Sequence, residues 1–212
     1  MKPKLQLRKG LNSGKAGIMK KNLVTAMISF LALSLAAGAG TLSGSVKGAP
    51  GQSVVYLQGA QGGAPAAASS QVYKMDQKGM KFIPGVLVVP VGATVEFDND
   101  DAGAHNVRWS SIGGLKNLGH NLGTFGAGQK ATWKFDHAGV VPLMCTLHPD
   151  MSAYIIVTPS PYYAQTDQIL GDFFIQNVPD GEYKAFVWHN GKTTSQVVKI
   201  AGNTKVDFTI GK

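Results

Sequence analysis

The stretch "GVVPLMCTLHPDMSAYIIV", residues 139–157, sets two runs of strand-forming residues around a short turn that holds the only cysteine of the chain. His148 follows Cys145 by three positions, and Met151 follows His148 by three. The β-branched and aromatic residues on either side fit strands. A connection between two strands has no need of sulfur or imidazole, so these three residues require a chemical reason.

Outward from this hairpin, short runs of Val, Ile, Thr, Tyr and Phe recur between Gly, Pro and Asp turns. Candidate strands lie at 52–58, 70–76, 85–90, 93–99, 105–110, 130–136, 140–145 and 153–159, with a second series at 172–178, 182–188, 195–200 and 205–210. Their regular spacing, with no convincing amphipathic helix, predicts an all-β chain of sandwiches. A length of 212 residues allows one large β domain or two small ones, each with its own core. Two stretches interrupt the pattern. Residues 59–70 are rich in Gly, Ala and Ser and read as a flexible connection. Residues 110–130 carry six glycines with weak periodicity and read as a loop-rich excursion. The two prolines within 158–167 mark a boundary between modules.

The formal charge of +8 is concentrated at the front of the chain. Seven of the 20 basic residues and none of the 12 acidic ones fall in residues 1–39, so the remainder is close to neutral. This distribution gives no support to nucleic-acid binding. After Lys21 come an apolar stretch and an A-x-A-like cleavage site at Ala37-Gly38-Ala39, the pattern of a signal peptide. The expectation is export to the periplasm, cleavage near Gly40 and no stable membrane span in the mature chain, because the apolar run is short for a bilayer. Residues 1–18 read as an upstream start that is not used, with Met19 opening a leader of ordinary length. In an oxidising compartment a lone cysteine has no internal partner, so Cys145 is either buried and inert or bound to something.

A thiolate, two imidazoles and a weak thioether form the donor mixture that compromises between Cu(I) and Cu(II). Cys145, His148 and Met151 supply three of the four from one turn. The remaining imidazole must come from elsewhere, and His105 is the best candidate, since it follows the strand and Asp/Asn/Gly turn of "VEFDNDDAGAH". Taken singly, Cys145 reads as a small buried hydrophobe, Met151 as core filler and His148 as a turn residue. Together, at this spacing, they read as a metal site. Zinc would accept the cysteine and both histidines but would gain little from the methionine.

The paired motifs "VPVGATVEFDNDDAGAHNV" and "GVVPLMCTLHPDMSAYIIV" resemble the cupredoxins, the type 1 blue-copper proteins, and the short ligand spacings are most similar to amicyanin and plastocyanin. The resemblance covers roughly residues 70–158. It implies a Greek-key sandwich holding one type 1 copper ion through His105, Cys145, His148 and an axial Met151. It further implies that Asn106 hydrogen-bonds around the ligand loop, and that Pro149 stiffens that loop. Residues 164–211 resemble the carboxypeptidase regulatory-like, or transthyretin-like, sandwich through "TDQILGDFFIQNVPDGEYKAFVWH". The first strands of that smaller sandwich are expected at 42–60, which would make the copper domain an insertion; a plain tandem is the alternative.

His120 and His137 read as surface histidines and His189 as structural. Asp98, Asp100 and Asp101 read as a solvated turn, since they lack the spacing and terminal Glu of a calcium loop. No H-x-H pair or second cysteine points to an oxidase or a binuclear site, and no glycine loop to a nucleotide. The expected function is not enzymatic. It is carriage of single electrons between a redox donor and acceptor, with copper storage or delivery as the alternative.

Overall fold

The computed structural model describes residues 38–59 and 71–211. Nearly all of the expected signal peptide and of the Gly/Ala/Ser-rich connection lies outside the described residues. Among these, the one helical element is a 3-10 turn, Lys116–Leu118, and no helix is long and apolar enough to cross a membrane. The chain is all-β.

The first strand, β1 (Ala39–Lys47), has a period of two: Leu42 and Val46 point inward, while Thr41, Ser43, Ser45 and Lys47 point outward. Gly40 and Gly44 share the inner face because the carbonyl oxygens of Gly202 and Val206 press against them, and a Cβ at either place would overlap backbone. β2 (Val54–Gly59) follows, with its first four residues all buried.

The next nine strands form a sandwich. They are β3 (Val72–Gln77), β4 (Phe82–Ile83), β5 (Val86–Pro90), β6 (Thr94–Asn99), β7 (His105–Trp109), β8 (His120–Phe125), β9 (Lys130–Lys134), β10 (Gly139–Met144) and β11 (Ser152–Thr158). One sheet has the order β4-β3-β6-β9 and the other β5-β11-β10-β7-β8. Met75, Phe97, Trp109, Phe135, Leu143 and Ile155 fill the space they enclose.

The chain closes with β12 (Tyr163–Gln165), β13 (Asp172–Pro179), β14 (Gly181–His189), β15 (Lys192–Ile200), β16 (Asn203–Lys205) and β17 (Phe208–Thr209). These pair with the two opening strands, giving sheets β13-β1-β16, with β17 also on β1, and β12-β2-β14-β15. Leu42, Leu57, Ile175, Val187 and Ile200 make their common core. A third apolar cluster joins the two sandwiches. It sets Val88 and Ile156 of the β5-β11 sheet against Val54, Tyr56 and Trp188 of the β2-β14 sheet.

One expectation needs correction. The glycine-rich excursion at 110–130 contains a full strand, β8, which pairs with β7 from His105↔Phe125 to Trp109↔His120. Its residues, "HNLGTF", have only Leu122 and Phe125 as apolar members. β8 lies at the edge of its sheet, held by backbone pairing with β7 and by Phe125 and Leu122 packed on the core, without an alternating apolar stripe.

Candidate metal centre

The position of the site follows from strand order. β7 and β10 are antiparallel neighbours, with Leu143 opposite Trp109 and Met144 opposite Arg108. Past Met144 the chain therefore runs back along β7 toward its first residue. Cys145 comes directly after β10 and His105 opens β7, so residues far apart in sequence meet at one end of the sandwich. The Cys145 N–H donates to the Met151 carbonyl (3.1 Å) and the Met151 N–H to the His148 carbonyl (3.0 Å), closing residues 145–151 into a tight loop.

Cys145, His105 and His148 present their donor atoms within 4.8 Å of one another. The two Nδ1 atoms are 3.0 Å apart, and the Cys145 Sγ is 3.6 Å from the Nδ1 of His148. His105 and Cys145 are buried, whereas His148 is half-buried and lies at the rim. Met151 is buried in the core directly after the loop, its backbone tied to both Cys145 and His148. Pro149 is exposed on the outer side of the loop.

This donor set fits copper. Two facing imidazole nitrogens can share at most one proton, and a thiol is a weak hydrogen-bonding group, so protons alone satisfy the three atoms poorly. A cation that accepts nitrogen and soft sulfur satisfies all three, with the Met151 thioether next in the chain.

Asn106 surrounds the cysteine. Its backbone N–H donates to Cys145 Sγ at 3.3 Å, and its Oδ1 accepts the Thr146 N–H at 3.4 Å. Its Nδ2 donates to Asn121 Oδ1 (2.9 Å) and to the Gly123 carbonyl (2.8 Å), both in β8. The ligand loop, β7 and β8 are thus tied together through one side chain.

Reading Asp101 as part of a solvated turn also needs correction. Its Oδ2 lies 2.8 Å from the Nε2 of His105, and its carboxylate accepts the N–H groups of Gly79 and Met80 at 2.9 Å each. Those two backbone bonds, followed by the bond from His105, lower its pKa to about 2. The one sequence signal was a carboxylate four residues before a candidate ligand. The donors from Gly79 and Met80 come from a turn more than twenty residues upstream, which the local sequence does not reveal. The other histidines do not join the donor group. His120 is exposed and stacks on Trp133 with ring centres 4.0 Å apart, His137 is exposed, and the Nδ1 of buried His189 is 3.0 Å from Ser53 Oγ.

Residues 69–158 match the family described as copper binding proteins, plastocyanin/azurin family. Among solved structures, a reduced amicyanin variant is 30% identical over 44% of this chain and 91% of its own, with a TM-score of 0.38. A purple cupredoxin from Nitrosopumilus maritimus is 23% identical over 41% of this chain and 99% of its own, with a TM-score of 0.36. A copper-containing nitrite reductase from Thermus scotoductus SA-01 is 26% identical over 44% of this chain but only 25% of its own, with a TM-score of 0.38. No curated protein matches the chain. The family match spans the whole of the first sandwich, including the loop where the imidazoles and the thiol converge, and residues 69–158 are a cupredoxin domain of the plastocyanin/azurin family.

Proposed function

We propose that the protein is an exported type 1 copper protein that carries single electrons between periplasmic redox partners and transforms no substrate. The observation that carries this reading is the convergence of His105, Cys145 and His148 in a loop whose backbone is already closed by hydrogen bonds. A bound copper ion would supply one reversible electron. The chain would supply a site that moves little. Cys145 is held from one side by the Asn106 N–H and from the other by the core, His105 is held by Asp101, and Met151 is anchored at the base of the loop. The N–H bond to sulfur stabilises the thiolate and sets how strongly it donates. His148 stands at the rim beside Leu147, which is 50% exposed, and Pro149. A short apolar contact there would bring a partner's redox centre close to the imidazole.

The test is titration of the purified protein with Cu(II), followed by redox titration. An intense visible thiolate-to-copper band that bleaches reversibly with one electron is expected; a pale complex or oxidised Cys145 would overturn the reading. Copper storage or delivery is the rival. It predicts rapid loss of copper to a chelator, whereas a closed loop with a buried thiolate predicts slow loss. Export is tested by N-terminal sequencing of the protein from the periplasmic fraction, which should begin near Gly40. We further propose that 42–60 and 164–211 together make a carboxypeptidase regulatory-like sandwich into which the copper domain is inserted. A stable fragment 160–212 surviving proteolysis alone would overturn that.

A further inference from the structure

The geometry points to Asp101 as a positioning residue that fixes the ring of His105 and ties it to the exposed turn at Gly79–Met80. This inference rests on the copper reading for its consequence but not for its geometry. A carboxylate can only accept, so the 2.8 Å contact requires the hydrogen of His105 to sit on Nε2. In the neutral ring the Nδ1 is then left as a bare lone pair, directed at His148 and Cys145. Of the two neutral tautomers, only this one can offer Nδ1 to a metal without first moving a proton.

Asp101 is itself held. Its Oδ1 accepts from the Gly79 N–H and its Oδ2 from the Met80 N–H, while the Asp101 N–H donates to Asn99 Oδ1 at 3.0 Å. The turn is pinned by reciprocal backbone bonds between Lys78 and Lys81, and by Asp76, whose Oδ1 accepts the Asp100 N–H. Gly79 and Met80 both have positive φ (61° and 53°), and it is this bent backbone that delivers two successive N–H groups to one carboxylate. Met80 is 62% exposed. A continuous chain of hydrogen bonds therefore runs from a surface methionine, through Asp101, to a buried imidazole. A molecule that distorts the Met80 turn would be felt at His105.

Three variants test this. In Asp101→Ala the Nε2 partner is lost. In Asp101→Asn the amide oxygen can keep the bonds from Met80 and His105 while the charge is removed. Gly79→Ala strains the turn by placing a side chain at positive φ, in open space and without touching the site. The first readout is the His105 tautomer in the metal-free protein, by long-range nitrogen–proton NMR. Wild type and Asp101→Asn should show the hydrogen on Nε2, and Asp101→Ala a mixture of tautomers. The second is Cu(II) affinity, expected to fall by about 10–100-fold in Asp101→Ala, the usual cost of removing such a partner, and by less in Gly79→Ala. The third is the reduction potential, expected to rise in Asp101→Asn because a less electron-rich imidazole supports Cu(II) less well. An unchanged tautomer and affinity in a folded Asp101→Ala protein would overturn the positioning role. An unchanged affinity in Gly79→Ala would overturn the link to the turn. Should wild type bind no copper, the tautomer measurement still decides the role of Asp101, and only the functional reading falls.

Discussion

Asn106 shows how much one polar residue does near the sulfur. Replacing it with Ala keeps the backbone N–H on Cys145 but removes the side-chain bonds to Thr146, Asn121 and Gly123. The expected cost is about 1–3 kcal/mol, the scale of losing a few part-buried hydrogen bonds at roughly 1 kcal/mol each, read from chemical denaturation, together with faster copper loss to a chelator. Cys145→Ser should leave the protein folded, because the Cys145 main chain and its core neighbours persist, while the coloured copper complex disappears; loss of folding would instead point to a structural metal. At this scale the sequence was legible where chemistry is local. Cys145, His148 and Met151 lie within seven residues of one another, so a single turn must gather them. His105 could be read because its strand leads to the same end of the sandwich. Asp101 could not, because its role depends on the bent backbone at Gly79–Met80 and not on anything beside it in sequence.

Among the elements, strands with an apolar period were visible and strands without one were not. β14 and β15 register in sequence as "EYKAFVW" and "SQVVKI", and the structure joins them through Asn190-Gly191, both at positive φ, the two-residue turn that matches strand twist. β8 and the short β4 and β12 carry too few apolar residues to announce themselves. β1 depends on what it lacks: Gly44→Ala would push a methyl into the Val206 carbonyl. A loss of about 1–3 kcal/mol is expected, as for an overpacked core, seen as a lower melting temperature with an unchanged copper spectrum. Across the same contact, Asp207 joins β1 to the stretch before β17. Its pKa is lowered first by the Lys47 ammonium (2.8 Å) and then by the Ser45 N–H. A depressed folded-state value means that this contribution is complete above the ordinary carboxylate range and fades as pH falls through the lowered value. Denaturation midpoints of Asp207→Asn should therefore fall less than those of wild type on acidification below about pH 4, and parallel curves would refute the linkage.

Across the whole molecule, the two sandwiches share an apolar seam, with the Tyr154 and Trp188 rings 4.9 Å apart at one part of it. Tyr154 lies on β11, the strand that leaves the ligand loop, so the second sandwich backs the strand that begins directly after Met151. Trp188 is fully buried, and its indole N–H has no partner among the described residues. Trp188→Ala should cost about 3–5 kcal/mol through lost contacts and a cavity. Trp188→Phe keeps most of the ring and removes the unsatisfied donor, so it should cost much less. A calorimetric comparison of the pair separates packing from polarity, and equal losses would refute the packing argument. β1 runs parallel to β17, Val46 beside Phe208 and Lys47 beside Thr209. Tension applied at the start of β1 and the end of β17 would therefore load those hydrogen bonds together, in shear, and not one by one. Residues 71–158 lie off that line of force, so a molecule tethered at both ends would bear strain in its second sandwich while the metal centre stayed slack.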